Sequence, residues 1–197
     1  MSLPFIETFW GMITSPGETL AKSRSASLTD AVVYYLIVIF VFSILTSVVT
    51  YLLGPSHPMA FMPIHDIMGV IVFIIGLVIM GTIALLVLAA IFHICAKIVG
   101  GSGDFTASVR ACALAETPNA AIGWIPVINL LAGIWGFILI VMGFREYHAI
   151  STLRAVVAIL LPILVLVLLI VLALLLWMVD PTAVTITEVT EAVPRIT

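Results

Sequence analysis

Five long apolar runs restrict what this chain can fold into more than any other feature. They cover 31–53, 67–99, 105–124, 127–144 and 155–178. A helix of about 20 apolar residues, rising 1.5 Å per residue, matches the roughly 30 Å hydrocarbon core of a bilayer. Because lipid offers no hydrogen bonds to the backbone, such runs must be helical. The sequence therefore predicts an all-α polytopic integral membrane protein with five transmembrane helices.

The composition agrees with lipid as the surroundings of the chain. Charged residues make up 9% of the 197 residues and hydrophobic residues 63%, whereas a soluble domain is about one quarter charged. The few basic residues are scattered, so no nucleic-acid-binding surface is expected. We expect Cys95 and Cys112 to be reduced apolar residues rather than a disulfide.

The basic residues are segregated among the segments that join the runs. The links 54–66 and 118–126 contain no Lys or Arg, and the tail after Trp177 contains only Arg195. Basic residues stay on the cytoplasmic side because they are costly to move across a bilayer. We therefore expect a cytoplasmic N-terminus and an extracytoplasmic C-terminus, in the plasma membrane if the chain is prokaryotic. The six residues on the cytoplasmic side are Lys22, Arg24, Lys97, Arg110, Arg145 and Arg154.

Three regions follow from this threading. Residues 1–30 are expected to form cytoplasmic interfacial helices, 31–178 a five-helix transmembrane domain, and 179–197 an extracytoplasmic tail with little order. The first thirty residues lack a basic start followed by an apolar stretch, so no cleaved signal peptide is expected.

The opening segment, 3–14, places apolar side chains three and four residues apart, which predicts one apolar helical face. It is too short to span, so it is expected to be an amphipathic helix in the cytoplasmic interface, anchored by Phe5, Phe9 and Trp10. Trp177 is the expected anchor at the opposite interface. A loosely ordered tail with chance spacing is the alternative.

Capping and turn residues predict where the helices begin and end. Ser15-Pro16-Gly17-Glu18 reads as a capping box that starts a second short helix toward Ala26. Thr29 or Asp30 is expected to cap the first span, and Asp104 the third. Pro118 removes a backbone donor, so the carbonyl near Leu114 needs another partner. The residues expected to turn or kink the chain are Gly100, Gly101, Gly103, Pro118, Pro126 and Pro162.

The third run differs from the others because its apolar residues are small and polar residues interrupt it. Small residues at every fourth position let helix backbones approach closely in lipid, so we expect this helix at the centre of the bundle. The fourth run offers a second such face. We expect the two faces to mediate helix packing, including assembly with further copies or with other membrane proteins. Their members are Ala107, Ala111, Ala115, Ala132, Gly133 and Gly136.

Glu116 is the residue most expected to carry a function, since an ionised carboxylate near mid-membrane costs several kcal/mol unless it is partnered. Three interpretations stay open: a protonated side chain bonded to a neighbouring helix, a cation or proton site facing a water-filled cavity, or a re-entrant third segment that leaves Glu116 solvated. Thr117 belongs to the same polar site. Asn119 and Asn129 are its expected polar partners.

Other motifs carry less chemistry. Gly101-Ser102-Gly103-Asp104 matches the signature of intramembrane aspartyl proteases, but no second aspartate is expected to face Asp104, so a glycine turn with a capping aspartate is favoured. His57 and His65 share a predicted loop, where solvated side chains are favoured over a metal site. His148 is expected at the surface. No catalytic residue, metal site or cofactor is predicted.

Several short motifs, in their order and spacing, resemble the YIP family of Ypt/Rab-interacting membrane proteins, in its prokaryotic branch. They are Pro4-Phe5 and Pro16 at the start, the stretch KIVGGSGDF at 97–105, Thr117-Pro118 followed by Trp124-Ile125-Pro126, and Gly143-Phe144. The resemblance implies five spans, a cytoplasmic N-terminus, partners such as prenylated GTPases and sibling proteins, and roles in trafficking and membrane shaping. The chain departs from the family in its short N-terminus and in carrying Glu116 where many relatives have an uncharged residue or tyrosine.

Two functions are thus expected to compete. The first is a non-enzymatic membrane scaffold that forms homo-oligomers or hetero-oligomers with other membrane proteins. The second is a small transporter or channel that uses Glu116.

Overall fold

A computed structural model describes residues 3–54 and 64–179, with side chains as far as Trp177. All regular elements within these ranges are helical. The predicted loop residues 55–63, which include His57, lie outside the described residues, as does the predicted tail 179–197 apart from Val179. The helices are α1 Phe5–Thr14, α2 Pro16–Lys22, α3 Leu28–Leu53, α4 Ile67–Ile98, α5 Phe105–Ala115, α6 Asn129–His148 and α7 Thr152–Val179, with a 3-10 turn Ser23–Ser25 and a π-helical turn Asn119–Gly123.

The chain divides into two compact units, 1–159 and 160–197. The described part of the second unit is the continuation of α7, which carries Pro162 inside the helix and Trp177 near its end. All other elements belong to the first unit.

Four of the described helices are long and apolar enough to cross a membrane: α3, α4, α6 and α7. The third predicted run is divided instead. Its helix α5 has 11 residues and ends at Ala115, and the π-helical turn follows after Pro118. Proline lacks the N–H that would continue the helix and disfavours helical geometry in the residue before it, which accounts for the interruption.

Two predicted caps are corrected. Helix α3 begins one turn earlier than expected, because Ser27 and Asp30 form a capping box: Asp30 N donates to Ser27 Oγ at 3.1 Å, and Ser27 N donates to Asp30 Oδ2 at 3.0 Å. The capping box expected at Ser15 does not form, because the Ser15 side chain makes no cap bond. The predicted cap at Asp104 is confirmed, since Asp104 Oδ1 accepts from Ala107 N at 2.8 Å.

The limits of α6 also differ from the expected 127–144. The helix begins at Asn129 because Val127 has a left-handed backbone conformation, with φ 71°. It continues to His148 and stops where Ala149 is left-handed, with φ 52°. A positive φ departs from right-handed helical geometry, so neither Val127 nor Ala149 can continue the helix.

Helix α5 lies at the centre of the first unit. It contacts α3, α4 and α6, and all residues from Ala107 to Ala115 are buried. Close approach to α6 needs glycine there: a Cβ at Gly143 would lie 2.9 Å from Ala111 Cβ, and one at Gly136 would lie 3.2 Å from the Ala115 carbonyl oxygen.

These contacts change the expectation for assembly. Ala107, Ala111, Ala115 and Ala132 are buried within the chain, at most 6% exposed. Their faces are therefore occupied by the chain's own helices and are not free for a partner. Gly133 differs, because a Cβ there would meet no atom of the described residues within 4 Å.

The N-terminal helices form a hairpin that rests on the bundle. Helix α1 packs on α2, and α2 contacts α6. The Phe5 ring lies 5.4 Å from the Tyr34 ring of α3, and Met12 is fully buried. Ile6 and Trp10 face outward, 67% and 59% exposed. The opening segment is thus helical, with one side against the bundle.

Candidate functional site

The predicted polar site lies at the break after α5. Glu116 is the C-cap residue of α5 and is partly buried. Its Oε2 accepts a hydrogen bond from Asn119 Nδ2, so the structure brings these two residues together. Asn129 is exposed at the start of α6. The hydrogen bonds of the described residues do not join Asn129 to Glu116, and no described Lys or Arg forms an ion pair with Glu116.

Thr117 satisfies the backbone carbonyl that Pro118 leaves without a donor. Thr117 is fully buried and its hydroxyl donates to the Leu114 carbonyl oxygen at 2.7 Å. Tyr34 Oη lies 2.7 Å from Thr117 Oγ1 and donates to it, since the threonine proton is already used. The expected need for a partner near Leu114 is therefore met by Thr117, whose hydroxyl is held in turn by Tyr34 of α3. Tyr34 was not anticipated, because its distance in sequence from Thr117 gives no signal.

A second polar site lies at one end of the bundle, where α3 begins and α6 ends. Arg110 is 7% exposed, and its Nη1 donates to the Arg24 carbonyl oxygen at 2.6 Å and its Nη2 to that of Ala26. The Arg110 guanidinium carbon lies 5.0 Å from the centre of the Tyr147 ring, within reach of a cation–π interaction. A buried cation is thus held by carbonyl dipoles and a ring.

Arg24 continues this site on the surface. Its Nη2 donates to the carbonyl oxygen of Glu146 at 2.7 Å and to Glu146 Oε1 at 2.9 Å. Arg110 and Arg24 together tie the segment between the N-terminal hairpin and α3 to α5 and α6. We call these contacts of Arg24 and Arg110 the hairpin latch. The sequence predicts the side of the membrane for Arg24 and Arg110 but not their partners, because every residue has a backbone carbonyl and its use as an acceptor produces no sequence pattern.

The prediction that His148 lies at the surface is wrong: its side chain is fully buried. Ser108 Oγ lies 2.9 Å from His148 Nε2 and 3.0 Å from His93 Nδ1, so one hydroxyl bridges the two imidazoles. The Phe144 ring stacks on His148 with 5.0 Å between centroids. His148 is drawn inside because α6 extends four residues beyond its predicted end.

The glycine turn after α4 closes over this histidine. Ser102 N donates to the His148 carbonyl oxygen at 2.9 Å, which caps the end of α6. A Cβ at Gly103 would lie 2.7 Å from the Tyr147 carbonyl oxygen and 2.8 Å from His148 Nδ1, and Gly100 has φ 91°. The glycines are therefore needed for close approach and for the left-handed turn. This accounts for the Gly-Ser-Gly-Asp motif without a protease.

Metal chemistry has no visible basis in the part of the chain that is described. There, no group of three His, Cys, Asp or Glu side chains is arranged to hold a metal ion. His65 lies within the described residues but His57 does not, so the loop site that the two would share is untested.

Fold and sites together define an all-helical, multi-pass integral membrane protein. The family model described as the Yip1 domain matches residues 10–175, so the chain belongs to the Yip1-domain family. The family is not known for enzymatic activity. No curated protein and no solved structure matches the chain.

Proposed function

We propose that the chain is a non-enzymatic scaffold of YIP type that organises the membrane through its N-terminal hairpin. The observation that carries the proposal is the attachment of this hairpin to the bundle by the latch at one side, with Ile6 and Trp10 exposed on the other. A rigid hairpin that presents large apolar side chains enters the headgroup region and displaces lipid.

The proposed arrangement in the membrane follows the basic residues. The N-terminus is cytoplasmic, the third segment reaches the opposite side as α5 followed by the π-helical turn, and the C-terminus is extracytoplasmic. Support comes from the contacts of Arg24 and Arg110, and from Gly100 lying beside Arg154 Nη1, which bring residues of three links to one end. Epitope tags at the two termini that label from the same side would contradict this arrangement.

Partners in this proposal are the bilayer itself and other membrane proteins, with a GTPase partner suggested by the family alone. Because most small-residue faces are occupied inside the chain, oligomers would use outward surfaces. The face of α6 around Gly133, with Leu130 and Ile134 exposed at 69% and 52%, is one such surface.

The scaffold function is tested by reconstitution into vesicles at a fixed protein-to-lipid ratio. Wild-type protein is expected to reduce the mean vesicle diameter measured by electron cryomicroscopy. Ile6→Ser with Trp10→Ser is expected to leave the diameter near that of protein-free vesicles, since the hairpin then inserts less apolar surface. Leu164→Ser with Leu168→Ser removes two exposed leucines of α7, each 65% exposed, and should keep the wild-type effect. Equal diameters for wild-type and hairpin variants would contradict the proposal.

A transporter that uses Glu116 is the second candidate, favoured by one observation. The carboxylate lies at the helix break with an amide donor and without a described basic partner, which leaves it able to accept a proton or cation. Proton flux into vesicles that is lost in Glu116→Gln and kept in Glu7→Gln, an exposed carboxylate on α1, would establish this function. The scaffold proposal expects no flux above protein-free vesicles in any of the three.

A further inference from the structure

The bridge between the two histidines contains a single hydroxyl proton, which restricts the protonation of both rings. Ser108 Oγ can donate to one imidazole nitrogen while it accepts from the other. Its two partners are His148 Nε2 at 2.9 Å and His93 Nδ1 at 3.0 Å. One of the two nitrogens must therefore carry a hydrogen, and the other must not.

The surroundings of His148 decide which nitrogen is protonated. Its second nitrogen, Nδ1, is buried without a hydrogen-bond partner among the described residues. The Gly103 backbone packs directly against this nitrogen, since a Cβ built on Gly103 would lie only 2.8 Å from His148 Nδ1. A hydrogen on Nδ1 would be an unpaired buried donor, which is costly. His148 therefore carries its hydrogen on Nε2 and donates to Ser108, which donates to His93 Nδ1.

An added proton does not fit this arrangement. A charged His93 has a hydrogen on Nδ1, so Ser108 must turn and donate to His148 Nε2. His148 then needs its own hydrogen on the enclosed Nδ1. A charged His148 also places a hydrogen there, because both ring nitrogens of an imidazolium are donors. The closed geometry accepts both rings only when they are neutral.

Nearby charges give little compensation for a positive ring. The two imidazole centroids lie 5.7 Å apart, so a charge on either ring acts on the other. Lys97 of α4 and Asp104 of the glycine turn are the charged side chains that act on the pair. Arg154 Nη1 lies on the outer side of the same turn, 3.7 Å from the position of a Cβ at Gly100. Asp104 is therefore the one negative group near a protonated ring, against the positive charges of Lys97 and Arg154.

We propose that His93, Ser108 and His148 form a proton-binding site that controls the glycine turn 100–104. With both rings neutral, the turn is closed on the end of α6 by the bond from Ser102 N to the His148 carbonyl oxygen. Binding of a proton forces a hydrogen onto His148 Nδ1, and the turn leaves α6 to give this nitrogen access to water. The site makes the packing of α4, α5 and α6 at this end dependent on pH.

Hydrogen–deuterium exchange of the full chain in lipid nanodiscs tests the proposal. Amides of 99–105 are compared at about pH 7.5 and about pH 5, either side of the ordinary histidine pKa of about 6.5. After correction for intrinsic exchange, we expect about a tenfold loss of protection at the lower pH, as for local opening. The readout is the ratio of the protection factors at the two pH values, because a variant that is only less stable loses protection at both.

Variants separate the histidine pair from other sources of pH dependence. His93→Gln with His148→Gln is expected to bring the ratio close to one, whereas His65→Gln is expected to keep it. Asp104→Asn removes the carboxylate that favours a positive ring and is expected to keep or increase the ratio. A ratio of one in the wild type would overturn the proposal, as would a ratio that falls to one in Asp104→Asn. Nitrogen-15 spectra of the wild type provide a measurement that does not depend on a variant folding: a protonated His148 Nδ1 at neutral pH would also overturn it.

Discussion

Helices α4 and α5 show opposite relations between composition and burial. Helix α4 is almost entirely apolar, yet only five of its 32 residues are buried within the chain. Helix α5 contains serine, arginine, cysteine and alanine, and nine of its 11 residues are buried. In a water-soluble protein the more apolar helix would be expected inside. Here the order is reversed.

The reversal follows from the solvent. Lipid tails are as apolar as leucine, so burying α4 against protein rather than lipid yields little, and small or polar side chains benefit most from protein contact. Alanine and glycine allow close backbones, while Arg110, Thr117 and Ser108 find hydrogen-bond partners that lipid does not offer. In this chain, departure from uniform apolarity marks the interior.

The largest test of this comparison removes equal volume from each helix. Leu114 of α5 is fully buried, and Leu114→Ala is expected to lower the free energy of unfolding by about 2–5 kcal/mol. Ile79 of α4 is 54% exposed, and Ile79→Ala should change it by less than about 0.5 kcal/mol. Unfolding in mixed micelles measures both. Equal losses would show that α4 is as closely packed as α5.

The hairpin latch is the next most sensitive feature. Arg110→Ala removes two bonds from a charged donor to the carbonyls of Arg24 and Ala26 and is expected to cost about 1.5–3 kcal/mol. Proteolysis within 3–25 should also become faster, because the hairpin loses its attachment. Arg145 is exposed on α6, and Arg145→Ala serves as the control with little change in either measurement. Unchanged proteolysis in Arg110→Ala would show that the hairpin is held in another way.

Two glycines on α6 distinguish its inner and outer faces. Gly143→Leu must displace Ala111, whose Cβ would lie 2.9 Å from the new Cβ, and is expected to cost about 1–3 kcal/mol. Gly133→Leu meets no atom within 4 Å at Cβ and should be tolerated. Thermal unfolding of the two variants side by side checks this. A larger loss for Gly133→Leu would instead indicate that the Gly133 face is covered, for example in an oligomer.

The smallest expected effect lies at the break after α5. Thr117→Val removes both bonds of the hydroxyl, to Tyr34 and to the Leu114 carbonyl, and is expected to cost about 1.2 kcal/mol, at the average of about 0.6 for one such bond in a membrane protein. Tyr34→Phe should cost less, since it leaves the bond to Leu114 intact. A double-mutant cycle on unfolding free energies gives the coupling. Strict additivity would contradict a shared hydrogen-bond chain.

The sequence predicted the existence of the long apolar helices better than the residues at which they begin and end. Four of the five runs correspond to long helices, and the division of the third was indicated by Pro118. The predicted cap of α3, Thr29 or Asp30, lies too late in the chain, because the cap is Ser27 and Asp30 is its partner in the capping box. The predicted end of α6 is four residues short because the apolar run stops before Arg145 and Glu146, whereas the helix continues to His148. Caps depend on one or two local bonds, whereas the long apolar runs depend on many residues.

The candidate sites were anticipated unevenly. Glu116 and Asn119 are three residues apart, so a local argument paired them, and their hydrogen bond is present. Asn129 was also expected there, but the left-handed Val127 separates it from the break. The bridge from His93 through Ser108 to His148 joins three helices. Ser108 is 15 residues from His93 and 40 from His148, and no pattern in a single sequence predicts contacts between residues so far apart.

The sequence by itself determined that this chain belongs in lipid and is helical, because apolar length and the need for internal backbone hydrogen bonds act on each segment separately. The order of its basic residues also predicts which ends of the helices share a side. Only the tertiary structure decided that the least apolar of the five runs supplies the core helix, that Arg110 is held by carbonyls, and that a glycine turn encloses His148. These features depend on contacts between helices, whose energies arise only once the segments are assembled.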